Sequence, residues 1–208
     1  MNKIWLEQYP KSVPATIDVA AHASLVELLE AAFASHGQKV AYTFMGKSLT
    51  FAEVDTWSRA LGAYLQSLGL RRGDRVAVML PNVPQYPVAI AAILRAGFVL
   101  VNVNPLYTPR ELEHQLKDSG AKAIVVLENF ATTLQQVAAK VPTKHVIVAS
   151  MGDLLGLKGL VVNTVVRRVK KLVPAFSLPG SVSFKQALIE GRRMSLKATK
   201  VGPDDIAV

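Results

Sequence analysis

Between Arg75 and Ala149 four apolar runs alternate with three segments of helical pattern, and nothing else in the chain narrows its fold as much. The runs are Arg75–Leu80, Phe98–Val103, Ala123–Leu127 and His145–Ala149; the helical patterns are Pro84–Ala96, Pro109–Ser119 and Asn129–Lys140. Apolar strands alternating with amphipathic helices predict βαβ units, right-handed crossovers and a mostly parallel sheet. The expected class is therefore α/β, a Rossmann-like sheet flanked by helices. Thr108-Pro-Arg-Glu111 has the capping-box pattern with Pro109 at the first helical position. Gly97 and Gly120 stand where two of the helices should close.

The first 70 residues prepare this unit. Ser24-Leu-Val-Glu27 is a capping box, and Leu25, Leu28, Leu29, Ala32 and Phe33 form one apolar helical face ending near Gly37. Val40–Phe44 and Lys47–Thr50 flank Met45-Gly46, a tight hairpin by pattern. Thr50-Phe-Ala-Glu53 caps a further helix, with Val54, Trp57, Leu61, Tyr64, Leu65 and Leu68 at helical spacing and Gly69 behind them. After Ser150 the rhythm stops. Residues 151–182 read as a basic surface excursion containing Pro174 and Pro179. Ser183-Phe-Lys-Gln186 caps a short helix ending near Gly191, and Pro203–Val208 reads as a turn feeding an apolar strand. The expected organisation is thus an α/β unit over 1–150, the excursion over 151–182, and a helix and strand over 183–208.

Composition excludes several classes. Half of the residues are hydrophobic and 19% are charged, which rules out a disordered chain. With no cysteine there are neither disulfides nor thiolate metal sites, as suits a reducing cytosol. The first residues lack the apolar run of a secretory signal. Val76 to Leu94 is uncharged and reaches the roughly 18 residues of a membrane span. Pro81, Pro84 and Pro87 interrupt it, so it is read as strand, turn and helix. Of the net charge of +9, residues 151–208 carry +6, with 10 Lys/Arg against 4 Asp/Glu. A basic surface of this kind attracts anionic lipid, nucleic acid or phosphorylated ligands without choosing among them.

No self-sufficient catalytic motif is present. His22, His36, His114 and His145 lack metal-ligand spacing, and neither a Gly-x-Ser-x-Gly elbow nor a glycine-rich phosphate loop occurs. His114 reads as an ordinary surface residue, and Arg71-Arg72-Gly73-Asp74-Arg75 as a solvated turn launching a strand. The junctions at strand carboxyl ends, where ligands bind in parallel sheets, are more open to both readings. Asn82 either caps the following helix or contacts a ligand. Asn102, Asn104, Tyr107 and Arg110 either satisfy a sharp turn beside Pro105 or face a substrate.

TFAEVDTWSRALGAYL, GLRRGDRVAVMLPN, ILRAGFVLVNVNPLYTPRELEHQLKDSGAKAIVV and the terminal DDIAV together resemble the adenylate-forming acyl-CoA synthetase superfamily. The likeness is greatest to its bacterial long-chain fatty-acid–CoA ligases, which WLEQYP, VVNTVVRRVKKLVP and SFKQAL also resemble. The resemblance runs through the whole chain in order. It implies part of the large amino-terminal domain of an enzyme that activates a fatty acid with ATP and Mg2+ as acyl-adenylate, then transfers it to coenzyme A. In similar proteins the phosphate loop begins just after a strand like DDIAV. The adenine motif, the ribose-binding aspartate, the hinge and the catalytic lysine also lie outside this sequence. The resemblance therefore implies an amino-terminal fragment, roughly the first third, that is inactive alone and binds no cofactor itself. It carries no catalytic residue and no metal ligand onto these positions.

The expectations are then specific. Asn104, Tyr107 and Arg110 face substrate in the parent enzyme, whose partners are fatty acid, ATP and coenzyme A rather than nucleic acid. Leu160 to Val173 forms a helix whose Arg167, Arg168, Lys170 and Lys171 meet an anionic membrane surface, with Val162, Val165, Val166, Val169, Leu172 and Val173 as its apolar stripe. The protein is then cytoplasmic and peripheral on the inner face of the membrane. The competing reading is a self-contained Rossmann-like module that binds a nucleotide or acyl group without catalysis.

Overall fold

A computed structural model describes residues 3–18 and 21–208. Five parallel strands form the centre: β3 (Arg75–Met79), β4 (Val99–Asn102), β5 (Ala123–Leu127), β6 (His145–Ala149) and β7 (Val182–Ser183), in the spatial order β4-β3-β5-β6-β7. A separate antiparallel hairpin, β1 (Val40–Phe44) and β2 (Lys47–Thr50), precedes them. Its turn residues, Met45 at φ 48° and Gly46 at φ 74°, are both left-handed, as a two-residue hairpin turn requires.

Because strand side chains alternate, the sheet builds two cores. Val76, Val78, Leu100, Val125, Leu127 and Ile147 face α1 (Leu25–His36), α2 (Phe51–Ser67), α3 (Gln85–Arg95) and α7 (Phe184–Gly191). Ala77, Met79, Ile124 and Val126 face α4 (Pro109–Ser119) and α5 (Ala131–Gln135). Leu112 and Leu116, one turn apart on α4, are fully buried there. Each such leucine contributes about 1.5–3 kcal/mol by leaving water. Thr50 and Thr108 complete capping boxes with Glu53 and Glu111. Ser24 accepts from the Glu27 N–H, but the Glu27 carboxylate turns to Ala23 instead, leaving that box half formed. Leu25 and Leu28 remain exposed, so only part of the expected α1 face is buried.

Arg95 ties the first layer together. Its side chain is 1% exposed and bonds Glu30 Oε1 at 2.8 Å, Asp55 Oδ1 at 2.6 Å and Ser58 Oγ at 2.6 Å. The guanidinium also lies 5.1 Å from the Phe33 ring centre. One cation thereby joins α1, α2 and α3.

Three sequence expectations change. The helix anticipated over Asn129–Lys140 breaks into a 3-10 turn, the short α5 and a second 3-10 turn at Ala138–Lys140. Thr132, Thr133 and Val137 are weak helix formers, and Asn129 donates instead to the Leu172 carbonyl. Asn82 is not a helix cap. Pro84 occupies the cap position of α3 without a side-chain bond, and fewer donors need one: Tyr86 N–H reaches the Val83 carbonyl, and Pro87 has none. The helix expected from Leu160 to Val173 instead runs as α6 (Leu157–Thr164) followed by a π-turn over Val165–Val169.

That helix is seated by backbone contact. A Cβ on Gly159 would lie 1.9 Å from the Gly152 carbonyl oxygen, so only glycine permits the approach. Asn163 Oδ1 accepts the Gly152 N–H at 2.7 Å, and Leu154, Leu155 and Val166 are buried beneath. At the far edge of the sheet, Leu100 N–H donates to the Ala207 carbonyl at 2.9 Å, so the last residues run beside β4 without forming a full strand.

Candidate functional site

Ligands gather beyond the carboxyl ends of parallel strands, above all where connections from neighbouring strands leave to opposite faces. Here that point lies between β3, whose connection leads to α3, and β5, whose connection leads to α5 on the other face. Among the described residues, four buried side-chain atoms have no hydrogen-bond partner: Gln85 Oε1, Gln115 Oε1, Glu128 Oε1 and Asn129 Oδ1. All four residues belong to this edge. Gln85 opens α3, Glu128 and Asn129 follow β5, and Gln115 donates to the Asn102 carbonyl at the end of β4. Unsatisfied buried acceptors cost about 1–3 kcal/mol each and are normally met by water or a bound polar group.

Around them runs a polar network. Gln85 Nε2 donates to the Ser150 carbonyl at 2.6 Å, and Arg167 donates to Ser150 Oγ at 2.8 Å and to Glu128 Oε2 at 2.9 Å. The Glu128 bond raises the Arg167 guanidinium still further above its ordinary value. Burial pushes the Asp153 carboxyl up, although it accepts the Ser150 N–H and Lys185 Nζ lies 3.8 Å away. Sequence reasoning missed Gln85, Glu128, Ser150 and Asp153. Glu128 did carry a signal: a carboxylate directly after the wholly apolar β5 lies at a strand carboxyl end.

Of the anticipated site residues, Asn104 and Tyr107 come together in an open groove with Asn82, Tyr86, Asn102 and Phe130. Asn104 Oδ1 accepts the Leu106 N–H at 3.0 Å, and Asn102 Oδ1 accepts the Tyr86 hydroxyl at 2.9 Å, so both asparagines organise the turn. The Tyr107 side chain packs against the second core. Arg110 is exposed on the first turn of α4 and lines a second groove with His114 and Asp118, which Tyr107 also borders. Asn82 and Tyr86 also line a mostly apolar cavity of about 420 Å3 under the hairpin, with Phe33, Tyr42, Phe44 and Phe51. No group of three or more His, Cys, Asp or Glu able to hold a metal occurs among the described residues. The edge is equipped to hold and orient polar groups.

Residues 29–208 match the model of the AMP-binding enzyme family. The chain belongs to that family. Within it, the chain is 52% identical over its whole length to a long-chain-fatty-acid–CoA ligase of Salmonella typhimurium. It is 48% identical to that of Haemophilus influenzae and 31% to that of Bacillus subtilis, again over its whole length. It spans 37% of the length of each, matching their amino-terminal region. Among solved structures, a long-chain-fatty-acid–CoA ligase from Archaeoglobus fulgidus superposes with a TM-score of 0.68 at 23% identity, over 95% of this chain and 35% of that one. An anthranilate CoA ligase in complex with anthranoyl-AMP gives 0.69 at 20%, over 88% and 30%. At such identities these likenesses establish the fold: this family member has the α/β architecture of adenylate-forming CoA ligases. No helix among its described residues is long and apolar enough to cross a membrane.

Proposed function

We propose that the chain is the amino-terminal part of a long-chain fatty-acid–CoA ligase. Such an enzyme converts ATP, fatty acid and coenzyme A into acyl-CoA, AMP and pyrophosphate through an acyl-adenylate. The observation that carries this is similarity over the whole chain, near half identity, to several relatives bearing that name. An open polar edge at the strand carboxyl ends supports it.

These residues supply the sheet, its helical layers and one wall of the substrate surroundings. Asn104 holds the turn after β4, Tyr107 presents a half-buried ring, and Arg110 offers an exposed cation to a carboxylate or phosphate. The described side chains do not fit a magnesium site. Phosphate chemistry belongs to the part of such an enzyme that the relatives have beyond the matched region.

The test is pyrophosphate release from ATP with magnesium, palmitate and coenzyme A. The intact protein should turn over, and the 208-residue chain alone should stay at background. Turnover by that chain alone, or binding without turnover by the intact protein, overturns the reading. In the intact enzyme, Tyr107→Ala and Arg110→Ala should raise the KM for fatty acid or coenzyme A. Unchanged kinetics with a lowered melting temperature would make both residues purely structural.

A further inference from the structure

Five aromatic side chains, Phe33, Tyr42, Phe44, Phe51 and Tyr86, wall the cavity of about 420 Å3 beneath the β1–β2 hairpin. Protein interiors rarely leave voids larger than a water molecule. This one stays open because its roof is propped at both ends. At the base, Phe51 N–H bonds the Lys39 carbonyl at 3.1 Å and Ala52 N–H the Gly37 carbonyl at 3.0 Å. At the tip, Lys158 of α6 donates to the Met45 carbonyl. The volume falls in the roughly 300–1,000 Å3 range of small-molecule sites, which combine apolar walls with a few polar groups.

The lining decides what can enter. The walls are mostly apolar, so water finds too few of the two to four polar partners it needs. No Lys, Arg, His, Asp or Glu borders the space, and Arg95, beside Phe33, is already committed to Glu30, Asp55 and Ser58. A carboxylate or ammonium group would enter unpaired, which burial penalises heavily. Two polar side chains stand at the mouth, since Asn82 and Tyr86 border both this cavity and the groove at the strand carboxyl ends. The Asn82 side chain is exposed and makes no hydrogen bond among the described residues. The Tyr86 hydroxyl gives its proton to Asn102 Oδ1 and keeps its lone pairs. The pair can therefore both give and accept a hydrogen bond, which is the complement of an alcohol hydroxyl. Asn82 caps no helix, and this is the ligand contact open to it.

We propose that the cavity binds an uncharged single-chain amphiphile, of which a primary alcohol of about ten carbons is the simplest form. At about 30 Å3 for a methylene-sized group, the space takes about fourteen such groups. The chain lies among Phe33, Phe44 and Phe51, and the hydroxyl rests between Asn82 and Tyr86. An alcohol has no carboxylate to activate, so this site is separate from any substrate position of a ligase. The inference stands on the cavity and does not depend on the ligase reading.

The experiment uses the intact protein without ATP or coenzyme A. Phe44→Trp puts an indole in the cavity wall, and decanol carrying bromine on its last carbon should quench its emission. The parent protein, with Trp5 and Trp57, supplies the background. Plain decanol should relieve the quenching, and each methylene removed from the competitor should weaken it about fourfold. Decanoate should compete about a hundredfold more weakly than decanol. Adding Asn82→Lys, a change at an exposed position, should reverse that preference by giving the mouth a cation. Adding Ala91→Phe should fill the space and abolish the quenching without lowering the melting temperature; if that variant does not fold, the lysine variant decides. Absent quenching, including absence because further chain fills the cavity, would overturn the proposal. So would decanoate competing as well as decanol, an unchanged preference with Asn82→Lys, or quenching that persists in folded Ala91→Phe.

Discussion

Arg95 and Arg167 each hold a helix to its neighbours through carboxylates, yet they sit in opposite surroundings. The Arg95 side chain is 1% exposed, while its partners Glu30 and Asp55 keep 40% and 28% of their surface. Arg167 is 48% exposed, and its partner Glu128 is the buried one at 5%. In the first case the cation is inside and the anions reach water; in the second the anion is inside. The identity of the stranded charge therefore decides what each substitution does. It also separates a finished joint, in which α1, α2 and α3 are clamped, from an unfinished one, in which Glu128 Oε1 still lacks a partner.

The largest expected effect is at Arg95. Arg95→Ala removes a buried cation from a packed site, and breaking a buried pair costs about 3–5 kcal/mol. Because Glu30 and Asp55 can be hydrated once released, the lower end of that range is expected in a urea melt. Gly159→Ala comes next. Forcing a Cβ against the Gly152 carbonyl should lift α6 at about 1–3 kcal/mol, with faster amide exchange confined to residues 152–169. Arg167→Ala strands Glu128 and should cost about 1–3 kcal/mol, largely restored by adding Glu128→Gln. If it costs as much as Arg95→Ala, the contrast between the two joints fails.

The smallest effect concerns Asp153. Its carboxyl is raised by burial, so the folded state takes up the proton at a higher pH than the unfolded chain does. The stability this lends is complete below the unfolded carboxylate range and is lost as pH rises through the folded value. Asp153→Asn should therefore match or exceed the parent in urea midpoint at neutral pH, with the advantage fading on acidification. A variant that is weaker at neutral pH than in acid would show that Lys185 outweighs burial.

The sheet was readable because its strands are nearly continuous apolar runs and its helices carry capping boxes, both local signals. β3, β5 and β6 fall within a residue of expectation. The Asn104–Tyr107 turn could be placed for the same reason, as a strand's carboxyl end. The cavity and the Gln85–Ser150–Arg167 network were not legible, because they join residues 65 and 17 positions apart whose pairing only the tertiary fold decides. Asn82 misled because asparagine before a proline-started helix signals a cap, whereas the prolines had already reduced the need for one. Buried Val166 and exposed Val169 misled because the π-turn, with Lys170 N–H bonded to the Val165 carbonyl, shifts the helical phase.

The strand order has a consequence for how the protein is made. β3 emerges first, β4 pairs on one side of it, and β5, β6 and β7 then add successively on the other. No later strand has to be inserted between two that are already paired. As the ribosome delivers roughly 5–20 residues per second, each βα unit can dock onto an existing edge before the next appears. Growth always leaves two edges, β4 and the newest strand. The single bond from Leu100 to Ala207 shows the chain returning to the older edge after completing the newer one. Translation order and spatial order are thus compatible from β3 onward, which limits the time that apolar strands spend unpaired in the cell.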